Sequence, residues 1–571
     1  MNRYRNHSEG ANDPLTPEVD SGFVGVNTKL DPGMLRTSYL YRDVNEQALA
    51  PGLLSYAQNL RLESGAAATR RGSATHGNFN PAGMAGQTIY GEGIFSDPNG
   101  QEWLLVAVAD RVYQLADQRF PKEVSLPAGV TLEEEVFLVQ AFDTVLLFRG
   151  EALAPLEWDG TVGGEFEVVN QTDPGDGTEA IPSASRAVVM ANRLFIQQGR
   201  DGIIFSDVLD YTRYLPLANE WRLNDGSDDS IVALLPWRRN NLLVFKDQSV
   251  HVISGVSGDL SGAQAEIVSR SLGCVAANTA VNVGGDVYFL ASDGVYAVSE
   301  VLENSVQGAP VALSDPMEAV MRRVNWVRAD RCSAMVLGKY YRLAVPLDGA
   351  LEPNAVLVYD LETRQWQGVD VFPAEDRVQR LLATDYYGQR RAFAIDRTNG
   401  RVVTLDWGRS DVRGSSESEI ACLARTRGYT LGTQEDKLFR SLLVSMSTWR
   451  PSYTVKFLTD GVAEVVTLVS DKTRDRTRYL AHGKGLWQVN NANDDYGAPG
   501  REDYHLLAAE AGFEAHEGVV AFLPQETTEG FALRAVGRWV AIEVSSQQGH
   551  VGLRAVSVDG RPRRNQRRIA G

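Results

Sequence analysis

The sequence predicts an all-β protein: a β-propeller of six to eight blades, followed by a second β-rich domain of sandwich or barrel type and preceded by an extended N-terminal arm. Three observations lead there. Short runs rich in Val, Leu, Phe and Tyr are each closed by Asp, Gly or Asn, as strands ending in tight turns are. Helical periodicity is weak along the chain. The strand pairs also recur at a near-constant step.

The clearest pair is Asp286–Ala291, turning through Ser292-Asp293-Gly294 into Val295–Ser299. Asp-Gly between two apolar runs marks a hairpin, because the turn needs positive φ. Six more pairs follow the same plan, with second strands opening at 111, 155, 203, 249, 355 and 401. With 295 included, the steps are 44, 48, 46, 46, 60 and 46 residues, the long one carrying the Pro346–Pro353 insertion. One hairpin cannot bury its apolar face alone, whereas hairpin-based blades stacked in a ring cover every face and leave few open edges. A row of unrelated sandwiches is the competing architecture, but no linker interrupts the period.

Past Gly408 the texture changes. Arg409–Glu419 is polar and rich in Gly and Ser, a boundary signal, and strands resume at Glu419–Ala424, Leu442–Ser447, Tyr453–Leu458 and Ala463–Leu468. Asp471–Gly500 reads as a long polar loop, followed by strands over Phe531–Val536, Trp539–Ser545 and Val551–Val558. The expected organisation is therefore an arm over 1–48, a propeller over 49–408, a β-rich domain over 409–558 and a basic tail over 559–571.

Charge narrows the function. The 571 residues carry a net charge of −17, and only eight of the 56 basic residues are Lys. A protein that wraps nucleic acid needs a basic face to displace counterions, and this balance argues against one. No stretch reaches the ~20 apolar residues of a membrane helix, and Met1–Asp20 lacks the apolar core of a secretory signal, so cytosolic synthesis is the plain expectation. Cys274, Cys332 and Cys422 are too few and too scattered for a disulfide framework or a four-thiolate zinc site.

Two segments depart from the average. Glu151–Ala180 holds eight acids (Glu151, Glu157, Asp159, Glu165, Glu167, Asp173, Asp176 and Glu179) and no Arg or Lys. The last 18 residues hold Arg554, Arg561, Arg563, Arg564, Arg567 and Arg568 against Asp559. Solvated loop and tail is the simpler reading of both. The sharper one makes the acids a channel lining or contact loop, and makes Arg561, Arg563, Arg564, Arg567 and Arg568 a subunit contact docking on an acidic neighbour.

Catalytic patterns are missing. There is no Gly-x-Ser-x-Gly, and Gly338-Lys339 and Gly483-Lys484 lack the earlier Gly of a phosphate loop. The seven His form no ligand spacing, so no catalytic residue, metal or cofactor is expected. Ser96–Trp103 approaches the Asp box of sialidase propellers, but Pro98 stands where the Asp belongs, which leaves a hairpin turn followed by a core Trp. Val358–Trp366 resembles a kelch-type strand–turn–strand, in which Asp360 opens the turn and Trp366 packs; that role is structural.

One set of motifs is more distinctive. Leu49–Leu62, with Asn59 and then Arg70-Arg71-Gly72, is followed by Ile420-Ala421, Thr426-Arg427-Gly428-Tyr429 and Lys437–Arg440, and finally by Gly537-Arg538-Trp539-Val540. In order and kind these resemble the tail nozzle, or tubular tail protein B-like, β-propeller proteins of short-tailed bacteriophages. The resemblance spans nearly the whole chain. It implies a non-enzymatic virion protein, assembled in the host cytoplasm as a homohexameric ring in the tail. Its partners would be portal and adaptor proteins and a tail needle or fibres, with genomic DNA passing through unbound. An acidic conduit suits that role, because like charge keeps DNA mobile. A receptor-binding propeller and a glycan-active one, with acids at the ring centre, are the alternatives.

Overall fold

The computed structural model describes residues 15–563 except 16, 30–48, 50, 117–119, 173–174, 176, 216–218, 224–227, 302–304, 309–311, 387, 433–435, 449–452, 460–465, 471–477, 484, 490–503, 510–514, 522–524 and 548–550. The fold is nearly all β, and the chain divides into two compact units. One comprises 71–364 and 370–418; the other comprises 1–70, 365–369 and 419–571.

The first unit is the propeller. Blade one is Gly91–Ser96, Glu102–Ala107, Arg111–Leu115 and Lys122–Ser125, in antiparallel order. Blades two to five repeat that plan and open on Phe137–Ala141, Ala187–Met190, Ile231–Trp237 and Val281–Val283. Blade six contributes Ser333–Leu337, Tyr340–Val345 and Ala355–Asp360; the strand after it, Gln365–Val371, is divided between the two units. Blade seven is Arg380–Tyr386, Gln389–Asp396 and Arg401–Leu405, completed by Ser73–Thr75 from far upstream. All seven hairpins read from the sequence are second and third strands of successive blades.

First strands touch between blades one to four and five to seven, an apolar cluster holding Phe245 and Phe289 joins blades four and five, and the contact of Arg380–Tyr386 with Glu102–Ala107 brings blade seven against blade one. The blade-one seams show why the sequence stacks this way. Phe95, Trp103, Leu105, Leu147 and Trp158 fill the seam between blades one and two; Phe79, Ile89, Leu104, Tyr113, Phe393 and Ile395 fill that between seven and one. Alternate residues of one strand, Leu104 and Leu105, thus serve opposite seams, so both faces of a blade are apolar. Between blades five and six, Tyr288 packs edge-on against Tyr341 with ring centroids 5.3 Å apart.

Ser73–Thr75 antiparallel to Val403–Leu405 closes the ring, because it lets an early segment supply the last strand of the last blade. The Asp411–Arg413 and Ser416–Ser418 hairpin lies beside that strand. This places 409–418, read from sequence as the start of the next domain, with the propeller unit. Composition marked a boundary there, but strand pairing decides membership.

The second unit carries two larger sheets. In one, Lys437–Thr448 lies between Gln525–Gly537 and Val551–Pro562, and Glu18–Ser21 pairs with 555–558. In the other, Leu53–Gln58 pairs with Cys422–Thr426, which pairs with Val540–Ser546. A smaller sheet holds Arg478–Gly483, Gly485–Val489, Tyr504–Ala509 and Ala515–Ala521. Strands therefore occupy part of the stretch 471–500 that was expected to be loop; its alternation was masked by flanking polar residues, and 490–500 lie outside the described residues.

Candidate functional site at one end of the blade ring

In each blade the first strand begins at the end of the ring where strands two and three are joined. Chain direction therefore brings residues of four blades together there. Glu92 is second in the first strand of blade one, and Glu135 stands two residues before that of blade two. Arg186 directly precedes the first strand of blade three, Arg380 opens that of blade seven, and Arg397 begins the turn after Gln389–Asp396.

Arg397 is the hub. Its Nε and Nη2 donate to Glu92 Oε2 and Oε1 at 3.0 and 2.8 Å, and its Nη1 donates to Glu135 Oε1 at 2.9 Å. Arg380 Nε lies 3.1 Å from Glu92 Oε1. The Glu92 side chain is 4% exposed. Burial alone pushes its carboxyl up, but Arg397 and Arg380 outweigh burial and hold it below the usual range. Glu92 is thus kept ionised, which is the wrong state for a general acid. Burial pulls Arg186 and Arg380 below the ordinary arginine value.

A second polar cluster sits in blade four. Asp229, Ser249 and His251 are all buried. Ser249 Oγ donates to Asp229 Oδ2 and lies 2.9 Å from His251 Nε2, and Asp229 Oδ1 accepts from Gln248 N at 2.9 Å. The three residue types are those of a hydrolase triad, but the order differs. Serine stands between the carboxylate and the imidazole, so its proton is already committed to Asp229 and histidine is oriented by no acid. The arrangement ties a turn rather than activating a nucleophile.

The acidic segment lies elsewhere. Glu157 and Glu167 are on the third and fourth strands of blade two, outward of the first-strand ring, and Glu157 accepts from Tyr211 Oη at 2.6 Å. Glu151, Asp159, Glu165 and Glu179 are exposed nearby in sequence; Asp173 and Asp176 lie outside the described residues. Glu157 and Glu167 thus stand on the outer strands of blade two, away from the centre of the blade ring. The strand period was legible here, whereas which strand faces the ring centre was not.

In the basic tail, Arg561 pairs opposite Leu438 and Arg563 N donates to Asp436 O at 2.9 Å. Both side chains are exposed, but the start of the tail is sheet rather than free chain. Arg564, Arg567 and Arg568 lie outside the described residues.

The motif residues are mostly joints. Asn59 is buried with φ of 54°; it donates to Ala421 O at 2.7 Å and accepts from Arg70 Nε at 3.0 Å. Arg427 is buried and paired with Asp20 and Glu18, and its guanidinium lies over the Tyr429 ring at 5.1 Å. Tyr429 is fully buried and exchanges backbone hydrogen bonds with Val540. Gly428 faces the Trp539 ring, and the exposed Arg538 offers its carbonyl to Lys437 Nζ at 2.5 Å. Arg71 is exposed, and Gly72 passes so close to Ser410 that a Cβ would lie 2.0 Å from its carbonyl oxygen. The expected turn roles also hold: Asp97 Oδ1 caps the Asn99 and Gln101 amides, and Asp360 Oδ1 those of Glu362 and Thr363.

Sequence reasoning missed the five-residue charge cluster at the ring end. Its members span 92–397 and share no spacing, and only the blade register before each first strand could have pointed to them. Among the described residues no group of three or more His, Cys, Asp or Glu is placed to hold a metal ion, and no helix is long and apolar enough to cross a membrane.

Ring and site together define the class: a β-propeller protein, with seven blades among the described residues and a further β-rich unit. No family model matches the chain, and no curated protein does. Solved structures do match. The virginiamycin B lyase of Staphylococcus aureus is 12% identical, with 58% of this chain and 97% of that one covered, at a TM-score of 0.36. The extracellular domain of a one-component system of B. thetaiotaomicron is 10% identical, with 82% and 64% covered, at 0.39. PorZ of Porphyromonas gingivalis, a surface component of the type-IX secretion system, is 12% identical, with 78% and 53% covered, at 0.35. Likeness at this level carries nothing about activity.

Proposed function

We propose that the protein is a structural component of a bacteriophage tail, a nozzle-type propeller that assembles with copies of itself into a ring and performs no catalysis. One observation carries the reading. The three sequence stretches that resemble tail nozzle proteins lie more than a hundred residues apart, yet each supplies one of three consecutive strands of one sheet, Leu53–Gln58, Cys422–Thr426 and Val540–Ser546, while Lys437–Arg440 belongs to the neighbouring sheet. Asn59 to Ala421 and Arg425 to Glu543 join them side by side. A signature that converges on one sheet is a signature of architecture, and it suits a protein whose work is to hold shape. The net charge of −17 suits a conduit that leaves DNA unbound.

In this reading the subunits form a homohexamer beneath portal and adaptor proteins in the virion tail. Electron microscopy of purified protein and of virions tests it. Six-fold rings on the tail axis are the expected result. A monomer at high concentration that is also absent from virions overturns the reading, as does cleavage of host surface polysaccharide.

A further inference from the structure

The charge cluster at the ring end is unbalanced, and the imbalance is local to one side chain. Arg397 commits Nε, Nη1 and Nη2 to carboxylates. Arg380 Nε lies at ion-pair distance from Glu92 without hydrogen-bonding it, and its Nη1 donates to Ser333 Oγ at 3.4 Å. Arg186 is different. It is half-buried, and its side chain makes no hydrogen bond or ion pair with any described residue. Its guanidinium carbon lies 6.0 Å from the centroid of the Phe137 ring. Its backbone is fixed, because Gln197 N donates to its carbonyl at 3.0 Å.

Three guanidiniums thus meet two carboxylates. Glu133 and Glu134 precede Glu135 and are exposed, and no ion pair joins either to the three arginines. Glu135 attracts Arg186 across space, but burial outweighs that pull, and holding the cation there costs free energy. A planar guanidinium with five unused donors is the side chain best matched to an oxyanion. An aromatic ring against it keeps it oriented.

We propose that Arg186, backed by Arg380, is the binding residue of an oxyanion site at this end of the propeller, taking a ligand that presents a carboxylate or phosphate group. The ligand supplies the missing negative charge and is held by the Arg186 fork. The five-residue cluster lies wholly within the propeller unit, so the site stands or falls separately from the tail reading.

The test titrates inorganic phosphate, and in a parallel arm acetate, into the full chain at constant ionic strength, with binding followed by calorimetry and by thermal unfolding. Saturable binding of at least one anion is expected, with a matching rise in unfolding temperature. In R186Q the affinity falls roughly ten- to hundredfold, the worth of one or two charge-assisted hydrogen bonds. R186K keeps the charge but loses the fork, and falls in between. Without anion, R186Q should unfold no lower than the parent, because it removes a cation that no hydrogen bond or ion pair holds and whose burial outweighs the pull of Glu135. The proposal is overturned if neither anion binds saturably, if R186Q binds as well as the parent, or if anion-free R186Q unfolds well below it. The last result would give Arg186 a partner inside the protein.

Discussion

Arg427 takes Asp20 in a two-pronged grip: Nε stands 2.8 Å from Oδ2 and Nη2 stands 3.0 Å from Oδ1. Asp20 is fully buried, and Glu18 two residues earlier accepts from Arg427 Nη1 at 2.8 Å and from the amides of Thr430 and Leu431. An early strand is thereby tied to a motif residue more than 400 positions away.

Arg427→Ala should lower stability by about 3–5 kcal/mol, because it strands a buried carboxylate. Arg427→Lys should rescue only part of this, since an ammonium cannot make the two-pronged contact. The midpoint of chemical unfolding reads both. A midpoint within error of the parent for Arg427→Ala would show that the pair adds nothing.

Gly72→Ala should destabilise the propeller by about 1–3 kcal/mol. The new Cβ meets Ser410 O at 2.0 Å, next to the Ser73–Thr75 strand that completes blade seven. Gly77→Ala is the control, with nothing within 4 Å, and should be close to neutral. Thermal unfolding of the two variants side by side decides the matter.

Stability should fall on acidification below about pH 6.5, the ordinary histidine value. Burial, and then the charge of Lys246, lowers the pKa of His251; burial, and then Arg391, lowers that of His76. The unfolded chain therefore binds protons that the folded chain refuses, and stability rises with pH through this window. His251→Asn should flatten the slope between pH 5 and 7. An unchanged slope would mean that His251 is charged in the fold.

Truncation after Arg563 keeps the described pairing of Arg563 N with Asp436 O and serves as the reference for the unfolding temperature. Truncation from Arg561 onward should lower it, since 561 and 562 pair with 438 and 437. If the tail mediates ring assembly, the shorter truncation alone reduces ring formation in electron micrographs. Normal rings from it would free the tail of that role.

The propeller was legible because its signal is local. Each hairpin, such as Asp286–Leu290 with Val295–Val301, announces itself within about 15 residues, and a repeated local unit needs little more than stacking. Core tryptophans Trp103 and Trp366 were legible for the same reason. The loop over 471–500 was misread because polar flanks hid the strands at Arg478–Gly483 and Gly485–Val489. The acids of Glu151–Ala180 were noticed, but the place of Glu157 and Glu167 on the third and fourth strands of blade two could not be.

By itself, then, the sequence determined the strand pairs, their period, the turn chemistry at Asp97 and Asp360, and the order of the motifs. Each depends on neighbours a few residues apart, where backbone preference and alternation act directly. Only the tertiary structure decided that Ser73–Thr75 closes blade seven, that Arg427 meets Asp20, and that Arg186, Arg380, Arg397, Glu92 and Glu135 gather at one end of the ring. Those contacts join residues tens to hundreds of positions apart, and they exist only once loop-closure entropy has been met, by the buried seams of the ring for the propeller contacts and by the paired strands of the second unit for Arg427 and Asp20.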